Sequence, residues 1–572
     1  MSQIEFSKTK RTPARKWIIT GLLLAILLVT SSIILLLYPF ASKEKANYFS
    51  GEHPVIFQGN QAGNAVIDGE SVYLSFSFLQ EHIDDSLIYD EGSNSIIITT
   101  ESKVVQMPSE SLTYYVNEDP VELQFTPITT ENGEMYIAVD PLLSLYSFQY
   151  ELLPESGAIW IQQNGDSLTH GTITEGHEEK MRLRTDASMQ SPYVAEVAAD
   201  EQIYIENDQE EYYFVRKTNG QAGYIEKSLV TREETEEVVI AEEPVEHNVP
   251  MIEGPIHLTW EAVYTKNPDT ENMPAMPGVN VISPTWFELA SPDGDIKNLA
   301  SVSFSEWAQE QDYQVWGLFS NAFDPELTHQ AFTSFETRQK IIRQLLHYSQ
   351  IYKLDGINID IENVNPEDGP LVTQFMREAT PYFHEAGLTV SMDITFIASG
   401  NWSAFYEREK LAVIVDYLVV MAYDEHWGTS PVAGSVASFP WVESNLEKLL
   451  EIVPNERLIL GVPLYARLWK ETEAGDVSSE ALSMAQVQEW LAEHDVTPEY
   501  DPNSGQNYAE YYDKSQKATF KIWLEDSLSL QKRADLAVKH DLAGVASWSR
   551  YFADETAWSA LAIENENAEE KQ

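Results

Sequence analysis

Three hydrophobic rhythms follow one another along the chain. Residues Trp17 to Tyr38 (WIITGLLLAILLVTSSIILLLY) form an almost unbroken apolar run, long enough as a helix to cross a bilayer. From about 50 to 165, apolar and polar positions alternate over short stretches. SVYLSFSF at 71–78, SIIITT at 95–100 and AIWIQQ at 158–163 are the clearest, with Asn, Gly and Asp clusters between them. A period of two broken by turn residues predicts strands. YLSFSFLQEHI and YIAVDPLLSLY pass from strand into a short helix pattern, so a small α+β stalk domain is expected over 50–165. MRLRTDAS at 181–188, YVAEVAADEQIYIEN at 193–207 and YYFVRKTNGQAGYIEKSLV at 212–230 predict a small β-barrel domain over 170–232. TREETEEVVIAEEPVEHNVP at 231–250 has no packing period, and 233–250 reads as an acidic linker.

From residue 251 the pattern changes again. Buried-type β runs alternate with amphipathic helices: HLTWEAVY at 257–264, NVISPTWFEL at 280–289, YQVWGLFS at 313–320, GINIDIEN at 356–363, LTVSMDIT at 388–395, YLVVMAYD at 417–424, RLILGVPLY at 457–465 and GVASWSRY at 544–551. Between them LVTQFMREATPYFHEAG sets Leu371, Phe375, Ala379 and Phe383 on one helical stripe and stops at Gly387. Eight strands with helices between them predict an α/β fold, a (β/α)8 TIM barrel over 251–563 whose working groups lie at the C-terminal strand ends. Lys470 to Lys517, before the eighth strand, is long enough for an insertion that walls a cleft. Residues 564–572 read as a solvated tail.

Charge and composition narrow the setting. The chain has 91 acidic against 36 basic residues, a formal −55, and such a surface repels nucleic acid and anionic lipid. There is no cysteine, which removes disulfides, thiol catalysis and thiolate metal sites. Lys8, Lys10, Arg11, Arg15 and Lys16 precede the apolar run. The positive-inside rule therefore keeps residues 1–16 in the cytoplasm and sends the rest out. The expectation is a single-pass membrane anchor over 17–38 with the barrel outside. A cleaved signal peptide is the competing reading, although its apolar core is normally about 7–15 residues.

GINIDIEN carries the chemistry. Successive strand residues face opposite ways, so Ile357, Ile359 and Ile361 point to the helices while Asn358, Asp360 and Glu362 point into the barrel. Three polar groups up one lumen are costly to bury and add nothing to packing. Glu362 is the last of them, at the mouth. Beside Asp360 and among apolar walls its pKa is expected to rise, as a general acid requires. A buried polar ladder without chemistry is the alternative.

The run DGINIDIEN at 355–363 resembles the D-x-x-D-x-D-x-E signature of glycoside hydrolase family 18, with Asp355, Asn358, Asp360 and Glu362 in its places. MAYD at 421–424, GVPLYAR at 461–467 and Trp548 extend the resemblance over roughly 255 to 560. It implies a substrate-assisted retaining mechanism. Glu362 protonates the glycosidic oxygen and later activates water, Asp360 holds the acetamido N–H, and Tyr423 bonds the acetamido group. Asp424 and Met421 of the MAYD run support the site, and Trp548 is the floor under the sugar. Asn358 stands where the family often has Asp, and is expected to donate to Asp360. Asp355 has the opposite parity and a supporting role. The resemblance implies no metal or cofactor.

The stalk resembles the N-terminal domain of copper amine oxidases. Residues 170–232 resemble a bacterial Src-homology-3-type domain on Arg182, Arg184, the Gly220–Gly223–Tyr224 turn and the final Leu-Val, which suggests contact with cell-wall peptides. Twelve of the 14 tryptophans lie in the barrel region. Trp286, Trp316, Trp402, Trp427 and Trp469 lie near predicted strand ends, where flat rings suit sugar faces. The function expected is hydrolysis of β-1,4 bonds next to N-acetylglucosamine in peptidoglycan. A chitinase and a non-catalytic wall-binding lectin are the alternatives.

Overall fold

The structure, a computed structural model, describes residues 14–37, 41–109, 111–123, 125–241, 252 and 254–563. The expected cytoplasmic segment up to residue 13, the second half of the linker (242–250) and the tail 564–572 lie outside these. The chain divides into two compact units, Met1–Asp85 with Phe125–Glu243, and Ser86–Gln124 with Pro244–Gln572.

In the first unit, the apolar N-terminal run is helical over Ala14–Leu37. Side chains are described there for 17–33, and large apolar ones from Trp17 to Ile33 are exposed. Among the described residues no helix is long and apolar enough to cross a membrane; the span expected over 17–38 continues past them. Two four-stranded sheets follow, and a seven-stranded antiparallel sheet runs from Ser167 to Glu237. Arg184 is buried in the last sheet and donates to the carbonyls of Ser191 (2.8 Å) and Glu179 (3.0 Å). Gly223 lies within the strand Ala222–Glu226, and a Cβ there would meet the Arg184 carbonyl at 2.7 Å, so only glycine fits that close approach. The acidic stretch expected to begin a linker at 233 is partly strand: Val230–Glu237 pairs with Ser167–Ile173. Its threonines favour that pairing, Thr235 bonding Thr169 at 3.0 Å.

The second unit is the barrel with one addition. Its eight strands are β1 (Ile256–Glu261), β2 (Val281–Pro284), β3 (Gln314–Ser320), β4 (Gly356–Asp360), β5 (Thr389–Thr395), β6 (Tyr417–Met421), β7 (Leu458–Pro463) and β8 (Gly544–Trp548). All are parallel, each pairs with the next, and β8 closes on β1. Two cores result from strand alternation. Ile357, Ile359 and Ile361 join the outer core between strands and helices, as the parity of GINIDIEN predicts. Leu258, Trp260, Trp316, Leu318, Val419 and Ile459 fill the lumen floor. On the helix Gly369–Glu385, Phe375, Ala379 and Phe383 are fully buried, and Gly387 turns the chain at φ 73°.

Between β7 and β8 lies the insertion, a five-stranded antiparallel sheet within Tyr465–Trp523 and a helix Met484–His494 started by a capping box. The addition is Ser86–Gln124, read from sequence as part of a continuous stalk. It forms its own five-stranded sheet. Asp90 accepts the Phe335 N–H (2.9 Å) at the start of the helix Phe335–Tyr352. It also faces buried Arg338 at 3.6 Å, whose main partner is Glu378 at 2.7 Å.

Candidate active site

At the C-terminal ends of the strands a cavity of about 430 Å³ opens, lined by Asp360, Glu362, Asp393, Met421, Tyr423, Asp424 and Trp548 among others. Seven of the eight residues singled out from sequence therefore either line it or stand beneath it in the lumen. Asp360, Glu362, Tyr423, Asp424, Met421 and Trp548 line it.

Asn358 lies one layer down, fully buried, with all its valences used. Its Oδ1 accepts from Trp260 Nε1 and Ser283 Oγ, both at 2.9 Å. Its Nδ2 donates to Asp393 Oδ1 (2.8 Å) and Ser391 Oγ (3.1 Å). The expected bond to Asp360 is thus absent from its set. Strand geometry explains this: residues two apart on one strand stand side by side, and a neighbouring strand's lumen residue comes closer.

Asp355 does not join the site. It precedes β4 at the opposite end of the barrel and accepts the Val315 N–H at 2.9 Å, tying β4 to β3. Burial raises its pKa and that bond opposes the rise.

Burial dominates the electrostatics of the cavity. It pushes Asp360 up to about 7, and Asp360 Oδ1 has no hydrogen-bond partner among the described residues. It lifts Glu362 well above the usual carboxylate range, with Asp360, Asp393 and Asp424 adding like-charge repulsion. Asp393 is raised too, against the pull of the Asn358 and Trp260 donors. Three carboxyls in one desolvated space cannot all ionise near neutral pH, so protons are retained among them. The Tyr423 phenol is raised by burial first and stays protonated.

The walls are held from several strands. Asp424 takes a left-handed backbone (φ 59°) and accepts from Tyr465 Oη at 2.6 Å and from Arg467 at 3.3 Å. Trp548 lies with its ring 5.9 Å from that of Trp260, and its carbonyl accepts the Leu464 N–H at 2.9 Å. Two residues on, Arg550 pairs with buried Glu261 of β1. Tyr406 donates to the Ile361 carbonyl at 2.8 Å, and the Asn321 side chain grips the main chain of Glu362.

Sequence reasoning missed Asp393, Trp260, Asn321 and Tyr406. Asp393 was within reach: LTVSMDIT places Ser391 and Asp393 on one parity, as GINIDIEN does for its polar column. The tryptophans divide. Trp316 and Trp469 are fully buried packing residues, and Trp427 is exposed. Trp286 and Trp402 line the cavity, Trp402 with half its surface open.

Residues 305–553 match the family model described as glycosyl hydrolases family 18, and residues 57–146 match that of the copper amine oxidase N-terminal domain. An uncharacterized glycosylase, YvbX, of Bacillus subtilis (strain 168) is 25% identical over 301 residues, which is 50% of this chain and 84% of that one. The cortical fragment-lytic enzyme of the same organism is 25% identical over 255 residues, covering 43% and 58% of the two chains. The crystal structure of the spore cortex-lytic enzyme SleL of Bacillus megaterium QM B1551 overlays with a TM-score of 0.49 at 20% identity, covering 58% of this chain and 77% of that one. The barrel is a family 18 domain, and the chain that carries it is a glycoside hydrolase.

Proposed function

We propose that this enzyme cleaves β-1,4 bonds next to N-acetylglucosamine in peptidoglycan by a substrate-assisted, retaining route. The observation that carries the reading is the polar column of β4, which ends in a desolvated cavity where burial, and after it the neighbouring carboxyls, keep Glu362 protonated. A protonated, positioned carboxyl is what general acid catalysis needs. Glu362 gives its proton to the glycosidic oxygen as the bond to the anomeric carbon breaks. The acetamido oxygen of the same sugar closes on that carbon and forms an oxazolinium ion. Asp360, with an oxygen free of partners, takes the acetamido N–H and balances the charge. Tyr423 donates its O–H to the acetamido group, with Asp424 supporting that wall. Met421 and Trp548 pack against the sugar. Water then opens the ring and returns its proton to Glu362. Family 18 is among the exceptions to the two-carboxylate scheme, so no second carboxylate acts as nucleophile.

Peptidoglycan is favoured over chitin by the relative whose name is cortical fragment-lytic enzyme. The seven-stranded sheet domain, resembling wall-binding modules, gives a second handle on the wall. The apolar run 17–38 behind five basic residues supports a single-pass anchor that keeps the barrel outside and within reach of the cell's own wall. Protease added to wall-free cells should then digest the barrel, and a mature N-terminus near Ala41 would show cleavage instead.

Mass spectrometry of products from purified peptidoglycan and from chitin oligomers tests the substrate; cleavage of chitin alone would overturn the first choice. Glu362→Gln should lower kcat by about 10²–10⁴-fold while sugar binding persists. Retention of more than about a tenth of the rate would remove Glu362 from the acid's role. A thiazoline mimic of the oxazolinium ion should inhibit, and equal hydrolysis of substrates lacking the acetamido group would refute substrate assistance.

A further inference from the structure

We propose that Asn321 is the positioning residue of the acid, holding the Glu362 main chain where the sheet has already ended and so setting the direction of its carboxyl. The inference rests on Glu362 being the acid. β4 stops at Asp360, and its last ladder partners to β3 and β5 are Asp360 and Ile359. Glu362 is therefore beyond the strand ladder, and its own peptide groups need other partners.

Asn321 supplies both. Its Nδ2 donates to the Glu362 carbonyl at 2.7 Å and its Oδ1 accepts the Glu362 N–H at 3.1 Å. The side chain thus imitates the missing strand. It is fully buried, and its remaining valences are used as well: Nδ2 to Thr328 Oγ1 at 2.8 Å, and Oδ1 from the Phe323 N–H at 3.2 Å. A second amide makes the return stitch. Asn363, left-handed at φ 53°, donates to the Phe323 carbonyl at 2.8 Å. Ala322 and Phe323 are left-handed too, at φ 56° and 55°. Three non-glycine residues in that region persist only where their surroundings over-determine them. The two loops after β3 and β4 are laced, and Glu362 lies between the stitches.

Asparagine is the side chain this task selects. Aspartate lacks the donor for the Glu362 carbonyl, glutamine is one methylene too long, and alanine orphans both peptide groups. A misplaced acid costs most where protonation is most needed. A sugar leaving group depends on it, whereas a dinitrophenolate departs almost unaided. The test measures kcat and KM on N-acetylglucosamine oligomers and on the 2,4-dinitrophenyl glycoside of the N-acetylglucosamine dimer. Asn321→Ala should lose about 10–100-fold in kcat on the oligomer, with KM changed by less than about twofold, and less than about threefold on the aryl glycoside. Equal losses on both substrates would reduce Asn321 to a structural residue and overturn the inference. If Asn321→Ala is unfolded at the assay temperature, Asn321→Asp, which keeps the two N–H contacts, reads the same ratio and is judged the same way. Glu362→Gln is run beside them. If its own loss is independent of the leaving group, the acid assignment fails and this inference with it. If it depends on the leaving group and the Asn321 losses do not, only the positioning role fails.

Discussion

At the scale of single residues, Asn358 and Asp360 divide the work that two aspartates would share. Asn358 is bonded on every side, and the carboxylate among its partners is Asp393 at 2.8 Å. Asn358→Asp keeps the Trp260 and Ser283 contacts but loses both donors and sets a second carboxyl against Asp393. Proton sharing between those two raises the neighbouring carboxyls. The pH profile of kcat/KM should move towards higher pH, with its maximum changed by less than about tenfold; superimposable profiles would give position 358 no mechanistic weight. Asp360 makes a separate prediction. Its folded pKa of about 7 lies above the unfolded value near 3.9. The native state therefore holds the extra proton between those values, and this group costs stability as pH rises through about 4 to 7. Asp360→Asn removes the cost. The variant should unfold at a higher temperature than the wild type at pH 8, by an amount that shrinks towards pH 4, while activity is lost. A constant difference across that range would show that the carboxyl is not held protonated. This column was legible because one strand's parity fixes its direction. The bond partners of Asn358 were not, because they come from β1, β2 and β5, and no single-strand pattern reports which neighbours meet.

At the scale of elements, parity told inside from outside on β4 and on the helix Gly369–Glu385, and the same rule applied to β5 would have found Asp393. What eluded sequence was the role of Ser86–Gln124. Its alternation gives strands but not the surface they serve, and the Asp90–Phe335 bond joins residues 245 apart. The contact rests on buried charge, with Arg338, Glu378 and Asp90 each under a twentieth exposed. Removing a partner from such a group leaves an uncompensated charge. Glu378→Leu should cost about 3 kcal/mol or more, and Asp90→Ala, which removes the acceptor of the Phe335 N–H beside the weaker 3.6 Å pair, about 1–2 kcal/mol. Thermal or denaturant unfolding of the full chain measures both; equal or negligible losses would mean that the triad is not what fastens this sheet to the barrel.

At the scale of the whole molecule, the eight-strand alternation and the strand-four signature were enough to give the barrel and its working end, because both are written in short-range periodicity. The boundaries between the N-terminal parts were not, because compact units there are assembled from segments distant in sequence. The net charge of −55 has its own bearing on the proposed setting, since an acidic coat weakens adhesion to anionic polymers and leaves capture to specific contacts.

The closure of β8 between β7 and β1 has a consequence in time. A ribosome delivers β1 nearly 300 residues before the strand that bears Trp548, and loop closure over that distance is slow. Until β8 docks, Trp548 is not over the lumen and Arg550 has not reached Glu261. A chain ended at residue 540 should therefore show neither cooperative barrel unfolding nor hydrolysis, even though every carboxyl of the site has been made. A hydrolytic activity assembled in this order stays latent throughout its own synthesis and comes into being only once the last strand has left the ribosome.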